Sequence, residues 1–408
     1  MAIPKIALIP SGVKAGKLYS VLPTNGDGDF TTTRNTVATR VNENGLIEEV
    51  ASNVPRLDYS DGGCPSLLLE NSSTNIITYS EDFSNTYWVK AGSTITSSVG
   101  IDPSGLSNSY TLEATGTSQP NISNFYTWSD NTEYALSCFI KPNIGDYVAF
   151  GVYGNVIGDS WLRIDLTDNS LSYYGTGFSD GKVDVFENGW IRLSVKYIST
   201  SINASRSRFK ISLSTLGSFS SGVIGDKIDI YGAQLEQDSY STSYIKTVGT
   251  TQSRSADTAN GSGNSTVINS TEGVLYAEIG FIGDESVGQL SINDGSFNES
   301  VKFLYLNSTT LRVEMKTASG SNFVEDITVV TGGGVFDKVA IRYKSNDYAV
   351  YHNGIAQTIG QRVDVPSGLN ALSFNQGSNS APFYGKTKSL QVYTTALSDA
   401  ELTTLTTI

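Results

Sequence analysis

The residues best suited to chemistry lie in the stretch Trp161-Leu162-Arg163-Ile164-Asp165-Leu166. Read with the two-residue period of a strand, Leu162, Ile164 and Leu166 share one face, while Trp161, Arg163 and Asp165 share the other. A neighbouring candidate strand, Tyr147–Tyr153, sets Val148, Phe150 and Val152 on a core face and turns Tyr147 and Tyr153 away from it. Sugar rings stack their C–H faces on flat aromatic rings while nearby polar groups fix the hydroxyls, so an aromatic platform beside a guanidinium and a carboxylate makes a saccharide surface. Tyr147, Tyr153, Trp161, Arg163 and Asp165 are therefore the candidate glycan-binding residues. The same side chains would equally serve to pack beneath a loop or against a second subunit. Trp190, in an Asn-Gly-Trp turn, reads as core or corner packing.

Other chemistries find less support. His352 is the only histidine, so any Ser-His-Asp or Cys-His hydrolase would have to use it. It stands at a hairpin turn, no serine has nucleophile-elbow residues around it, and it reads as a solvent-exposed turn histidine. No catalytic residue is assigned. The 40 acidic residues supply many carboxylate pairs, which is all a glycosidase requires, but the short repeats of a long parallel β-helix are not found. Asn25-x-Asp27-x-Asp29 has the first three ligand spacings of an EF-hand loop, yet Phe30 occupies the place of the turn glycine and Thr36 that of the bidentate glutamate. Metal ligands remain unknown. Two cysteines, Cys64 and Cys138, exclude a disulfide framework and a thiolate-built zinc site.

The elements that must position these residues are strands. The chain has 408 residues, which calls for two or three domains, each able to bury a core. Only 16% of residues are charged, while Tyr (22) and Phe (16) are plentiful, a balance that suits strands and turns over helices. A net charge of −13 with no cluster of Lys and Arg argues against nucleic acid as a partner. No run approaches the roughly 18 apolar residues of a membrane span, and MAIPKIALIP lacks the apolar core and cleavage site of a signal peptide.

Residues 1–75 are poorly periodic and rich in turn signals, with short strands plausible at Lys17–Leu22 and Leu67–Glu70. This region carries too few apolar residues for a core of its own and is expected to gain buried surface from a partner chain or docking site. Residues 76–248 alternate cleanly: in Trp190–Tyr197, residues Ile191, Leu193, Val195 and Tyr197 face one way and Arg192, Ser194 and Lys196 the other. Residues 249–272 are small and polar and read as a linker, or as an edge of the next domain too hydrophilic to pack deeply. Residues 273–408 form a second β domain, with Leu275, Ala277, Ile279 and Phe281 on one face. Its Asn353-Gly354 pair signals a hairpin, and the capping-box spacing of Ser398 and Glu401 predicts a short helix starting at Ser398. The fold class is all-β: two antiparallel β-sandwich (jelly-roll) domains in tandem after an amino-terminal attachment region.

The segment Arg56–Phe83 carries a resemblance. Its Arg56, Asp58, Tyr59, Gly63-Cys64-Pro65, Leu67-Leu68-Leu69-Glu70, Thr74-Asn75 and Tyr79-Ser80 resemble a segment of tailed-phage virion proteins of the tail-fibre and head-fibre type. Tyr79–Phe83, Asn188–Arg192, Ala233–Glu236, Thr242–Ile245 and Arg254–Asp257 are similar to the carbohydrate-binding-module-like jelly rolls of such fibres. Tyr348–Gly354 and Val392–Glu401 look like a laminin-G or concanavalin A-like lectin fold. The resemblance implies a structural protein of the virion surface, made in the host cytoplasm, forming a homotrimer and docked to other virion proteins through its amino-terminal region. It implies display of glycan-binding-type domains toward cell-surface or mucus glycans, with no cofactor beyond a possible structural calcium. The alternatives are a purely architectural decoration protein and, third, a polysaccharide-cleaving enzyme.

Overall fold

The computed structural model describes residues 2–153, 159–199, 208–283, 288–320, 322–330, 335–361 and 364–408, with the side chain of Tyr153 outside that description. The regular structure is strand throughout except for one helix among the described residues, Asp399–Thr406. No helix among them is long and apolar enough to cross a membrane. The chain divides into two compact units. Met1–Glu43, Glu49–Ser72 and Ser255–Ile408 form the first, and Asn44–Glu48 with Ser73–Arg254 form the second.

Unit 1 is a sandwich. Its larger sheet runs, in spatial order, Ile355–Gly360, Asp347–His352, Asp337–Lys344, Glu272–Gly280, Gly385–Tyr393, Ser66–Leu69 and Arg56–Asp58, with Ile6–Leu8 also paired to Gly385–Tyr393. The facing sheet runs Phe323–Thr328, Thr310–Lys316, Ser300–Asn307, Gln289–Asn293 and Ala371–Ser373. Alternating residues of both, among them Leu275, Ala277 and Ile279 opposite Val301, Phe303 and Tyr305, fill one core. The opposite face of the larger sheet buries Val274, Tyr276 and Tyr393 with Leu397, which precedes the terminal helix, and Leu402 within that helix. Ser398 caps that helix through a capping box with Glu401. Asn353 (φ 49°) and Gly354 (φ 81°) make the hairpin turn; both need the left-handed region that Asn and Gly tolerate best.

The expected boundaries differ from this division. Ile6, Leu8, Leu18, Phe30, Leu57, Leu67 and Leu69 are few for their length, but they all reach the core of unit 1, so residues 1–75 find buried surface within their own chain. Of the two readings of residues 249–272, the edge of a domain fits and the linker does not, and part of the segment packs deeper than its polarity suggests. Thr258–Asn260 pairs with Phe30–Thr33, and Ala259, Val267 and Ile268 are buried in the same core.

A buried ionic network holds these separated segments. Arg56 is 0% exposed; its Nη1 donates to Glu70 Oε2 (2.6 Å) and to the Thr39 carbonyl (3.1 Å), and its Nη2 pairs with Asp257 Oδ2. Asp257 also takes Nη1 of Arg34 at 3.0 Å and the Glu70 amide at 3.0 Å. Burial alone would lower the pKa of Arg56, but the Asp257 and Glu70 carboxylates outweigh it and raise it above the ordinary arginine value. Asp58 repeats the pattern: burial pushes its carboxyl up, yet Lys386, the Ser60 hydroxyl and the Val41 amide hold it below the usual aspartate range.

Unit 2 is the second sandwich. One six-stranded sheet runs Val89–Ala91, Asn121–Phe125, Arg208–Leu213, Tyr147–Tyr153, Ser160–Asp165 and Leu171–Tyr174; the other runs Ser93–Ser97, Tyr110–Ala114, Lys227–Glu236, Thr132–Ile144, Ile191–Ser199 and Phe178–Val185. Every pairing is antiparallel, and the core takes Val148, Phe150, Leu162, Ile164 and Ile211 from the first sheet and Leu136, Cys138, Leu193, Val195 and Ile230 from the second. The long stretch of unit 2 begins at Ser73–Asn75 and ends at Gln252–Arg254, and these two strands pair with each other.

Replacing Asp257 with Asn leaves two buried guanidinium groups short of an anion. In denaturant, D257N should lower the stability of unit 1 by about 3–5 kcal/mol while the transition of unit 2 keeps its midpoint. An unchanged curve would show that the network does not hold unit 1 together.

Candidate functional site

The outward face of the first sheet of unit 2 follows from its register. Tyr147 pairs with Asp165, Ala149 with Arg163 and Gly151 with Trp161, and Trp161 in turn pairs with Tyr174. On the other side Gly151 pairs with Lys210 and Ala149 with Ser212. Strand alternation therefore puts Tyr147, Trp161, Arg163, Asp165, Tyr174 and Lys210 on the face turned away from the core. The backbone of Tyr153 continues the same strand, while its side chain lies outside the described residues.

These residues do not all reach solvent. Trp161 is only 3% exposed. Its indole lies across Gly151, where a Cβ would come within 2.5 Å of Cε3, so the missing side chain is what lets the ring lie flat. Lys210 stands 5.7 Å from that ring and donates to Gln119 Oε1 at 3.1 Å; its burial lowers its pKa from the ordinary lysine value. Arg163 is buried as well. Its guanidinium sits between the rings of Tyr147 (5.2 Å) and Phe219 (4.7 Å), and Nη1 donates to the carbonyls of Thr215 and Leu216 at 2.8 and 2.7 Å. Trp161 and Arg163 thus pack within the unit, and Arg163 pins the loop that carries Phe219.

What remains accessible is a rim. Tyr174 is 60% exposed and its ring meets Phe219 at 5.8 Å. Tyr147 and Asp165 are partly exposed beside Arg163. The Asp165 carboxyl is held below the usual range, chiefly by the Thr167 hydroxyl and amide and further by Tyr147 and Arg163, so it stays an acceptor near neutral pH. The Tyr147 phenol is raised, by desolvation first and then by Asp165. The arrangement offers ring faces, an anionic acceptor and a fixed cation: it can stack and hydrogen-bond a neutral polar ligand, and among the described residues it presents no paired acid and base. Phe219 and Tyr174 escaped the sequence reading. Tyr174 had a signal, since Leu171–Tyr174 is a short strand with adjacent tyrosines; Phe219 comes from a loop with none.

His352 is not the exposed turn residue expected. The turn is made by the next two residues, so His352 remains in the ladder opposite Val339 and is buried. Its Nε2 lies 2.7 Å from Asp337 Oδ1, and Asp337 Oδ2 accepts from the Tyr305 hydroxyl at 2.6 Å. This ties two strands of unit 1 to a third. Asp29 of the acidic turn is committed to Lys17 (2.9 Å) and to Ser20, and among the described residues no group of three His, Cys, Asp or Glu could hold a metal ion.

No family model matches the chain, and no curated protein does. Among solved structures it is similar to the CBM40 module of the Ruminococcus gnavus IT-sialidase bound to alpha2,3 sialyllactose, at 21% identity over 35% of this chain and 86% of that one, with a TM-score of 0.30. It is similar to domain 4 of the Geobacillus stearothermophilus arabinanase AbnA in complex with arabinotriose, at 16% identity over 37% and 73% (TM-score 0.29). It is also similar to domains LG4-5 of the mouse laminin alpha1 chain, at 10% identity over 70% and 92% (TM-score 0.24). At scores of this size neither fold nor ligand passes from those proteins to this one.

Substituting Gly151 with Ala would drive a methyl group into the Trp161 ring. G151A should cost unit 2 about 1–3 kcal/mol in denaturant and shift the tryptophan emission; an unaltered spectrum would show that the ring does not rest on the glycine.

Proposed function

We propose that this chain is a non-catalytic structural protein of the surface of a tailed-phage particle, and that unit 2 binds glycans on the sheet face carrying Tyr147, Asp165 and Tyr174. One observation supports the glycan reading above the rest: the partly exposed Tyr147 ring and an ionised carboxylate stand beside the Arg163 guanidinium, which Phe219 covers from its other side, and the exposed Tyr174 ring meets that Phe219. Rigid rings lose little entropy on binding, and a fixed carboxylate accepts from sugar hydroxyls. The reading requires no cofactor. The virion setting is supported by the resemblance of the Arg56–Phe83 segment to fibre proteins; on it, the amino-terminal segments meet other virion proteins, the chain is a homotrimer, and many weak sites add up through multivalency.

A second reading, a purely architectural protein, is favoured by the burial of Trp161 and Arg163, whose polar groups are spent inside the unit. A glycan array separates the two. Intact chain should bind a subset of glycans, and Tyr174→Ala should weaken that binding by about 0.5–1.5 kcal/mol, the size of a ring-stacking contact. Silence across the array would leave the architectural reading standing, and full binding by the variant would move the site elsewhere. Light scattering of the intact chain should give about three times the chain mass; a monomer mass at every concentration would overturn the trimer.

A further inference from the structure

A cleft of about 370 Å³ opens in unit 2, lined by Glu81, Asp82, Ser97, Ser107, Asn108, Ser109, Tyr110 and Lys246. None of these residues belongs to the sheet face described above. Its volume falls within the ~300–1,000 Å³ of ordinary small-molecule sites, but its lining is polar where most such sites are apolar. The groups are held in place before any ligand arrives. Glu81 Oε1 accepts from the hydroxyls of Tyr231 (2.7 Å) and Tyr244 (3.1 Å), and Oε2 pairs with Lys246 at 2.7 Å. Asp82 Oδ1 accepts from Ser84 (2.6 Å) and from Tyr110 (3.2 Å), whose ring rests edge-on against Phe83. Ser109 is 1% exposed, and its hydroxyl has no hydrogen-bond partner among the described residues. A buried hydroxyl left unpaired costs stability unless something completes it.

We infer that this cleft is a second ligand site of unit 2, shaped for a single sugar unit that carries an ammonium or no charge, and not a carboxylate. The charge count gives the selectivity. Lys246 is matched by Glu81, so the two carboxylates and one ammonium of the lining leave one negative charge, on Asp82. The Ser84 hydroxyl, with Tyr110 and Asn85, holds that carboxyl below the usual aspartate range, so it is ionised near neutral pH. Lys90, tied to the Ser84 and Asn85 carbonyls, feels the Asp82 charge from outside the lining. Sugar hydroxyls can donate to the remaining lone pairs of Asp82 and accept from Asn108, from the serines and from Lys246. An anionic sugar would meet Asp82 as a like charge.

The inference rests on reading unit 2 as a carbohydrate-binding domain but not on the sheet-face site, and calorimetry on the intact chain tells the two apart. At slightly acidic pH and low salt, glucosamine should bind on the order of tenfold tighter than glucose, and glucuronate should not bind. Asp82→Asn should abolish the preference for glucosamine. Lys246→Gln, which leaves Glu81 unmatched, should strengthen glucosamine binding, a gain that no misfolded variant can imitate. Tyr174→Ala should leave all three sugars unaffected while weakening array binding. Absence of glucosamine binding to the parent chain, equal binding of all three sugars, or the same affinity in the Asp82 and Lys246 variants would overturn the site, whether or not the sheet face binds.

Discussion

A fully buried guanidinium needs anions, and Arg56 finds them in Glu70 and Asp257. The cost of taking four charged groups, Arg34, Arg56, Glu70 and Asp257, out of water is recovered only if they are hydrogen-bonded in good geometry. That requirement fixes where the chain may run. The strand Arg56–Asp58, the end of the strand Ser66–Leu69 and the returning segment at Asp257 must converge on one point, and Arg34 must reach the same carboxylate. Unit 1 is assembled from three separate stretches of chain, and this is the interaction that specifies their meeting. Hydrophobic contacts are non-directional; a bidentate ionic network is not.

Unit 2 solves the same problem mostly with uncharged groups. Asn75 donates to the carbonyls of Ala233 and Ile245, Gln234 accepts from the Ile245 amide, and the Ser80 hydroxyl meets that of Tyr244 at 2.7 Å. Glu236 is buried, which raises its carboxyl, and it accepts the amide and hydroxyl of Thr242. Trp190 donates to the carbonyl of Ile101. Asn75, Ser80, Trp190, Gln234, Glu236, Thr242, Tyr244 and Ile245 all lie in stretches singled out from the sequence, as do Arg56, Asp58, Glu70 and Asp257. In both units the recognisable residues knit incoming to outgoing strands. Of them, Glu81 and Asp82 also face a cleft.

Local chemistry was legible and distant chemistry was not. The alternation of Ile191, Leu193, Val195 and Tyr197, the Asn353-Gly354 turn and the Ser398 cap each depend on neighbours within a few residues, so they can be read directly. One of the two carboxylates that meet Arg56, Asp257, lies 201 residues away, and no local pattern announces it. The same limit explains the candidate site. Periodicity placed Trp161 and Arg163 on the outward face, but their burial comes from Lys210 and from the Thr215–Phe219 loop, both supplied by later chain. The burial of His352 turned on a single residue of register at the hairpin.

The pairing of Ser73–Asn75 with Gln252–Arg254 has a consequence for how the chain folds. An unstructured insertion as long as unit 2 would charge unit 1 a loop-closure entropy that grows with the logarithm of its length. Once the two strands zip together, the ends of the insertion are held at the spacing of neighbouring strands, about 5 Å. The rest of the chain then meets the insertion as it would a short hairpin. Sequence inside unit 2 can lengthen, shorten or diverge at its outer loops without altering the entropic problem that unit 1 must solve.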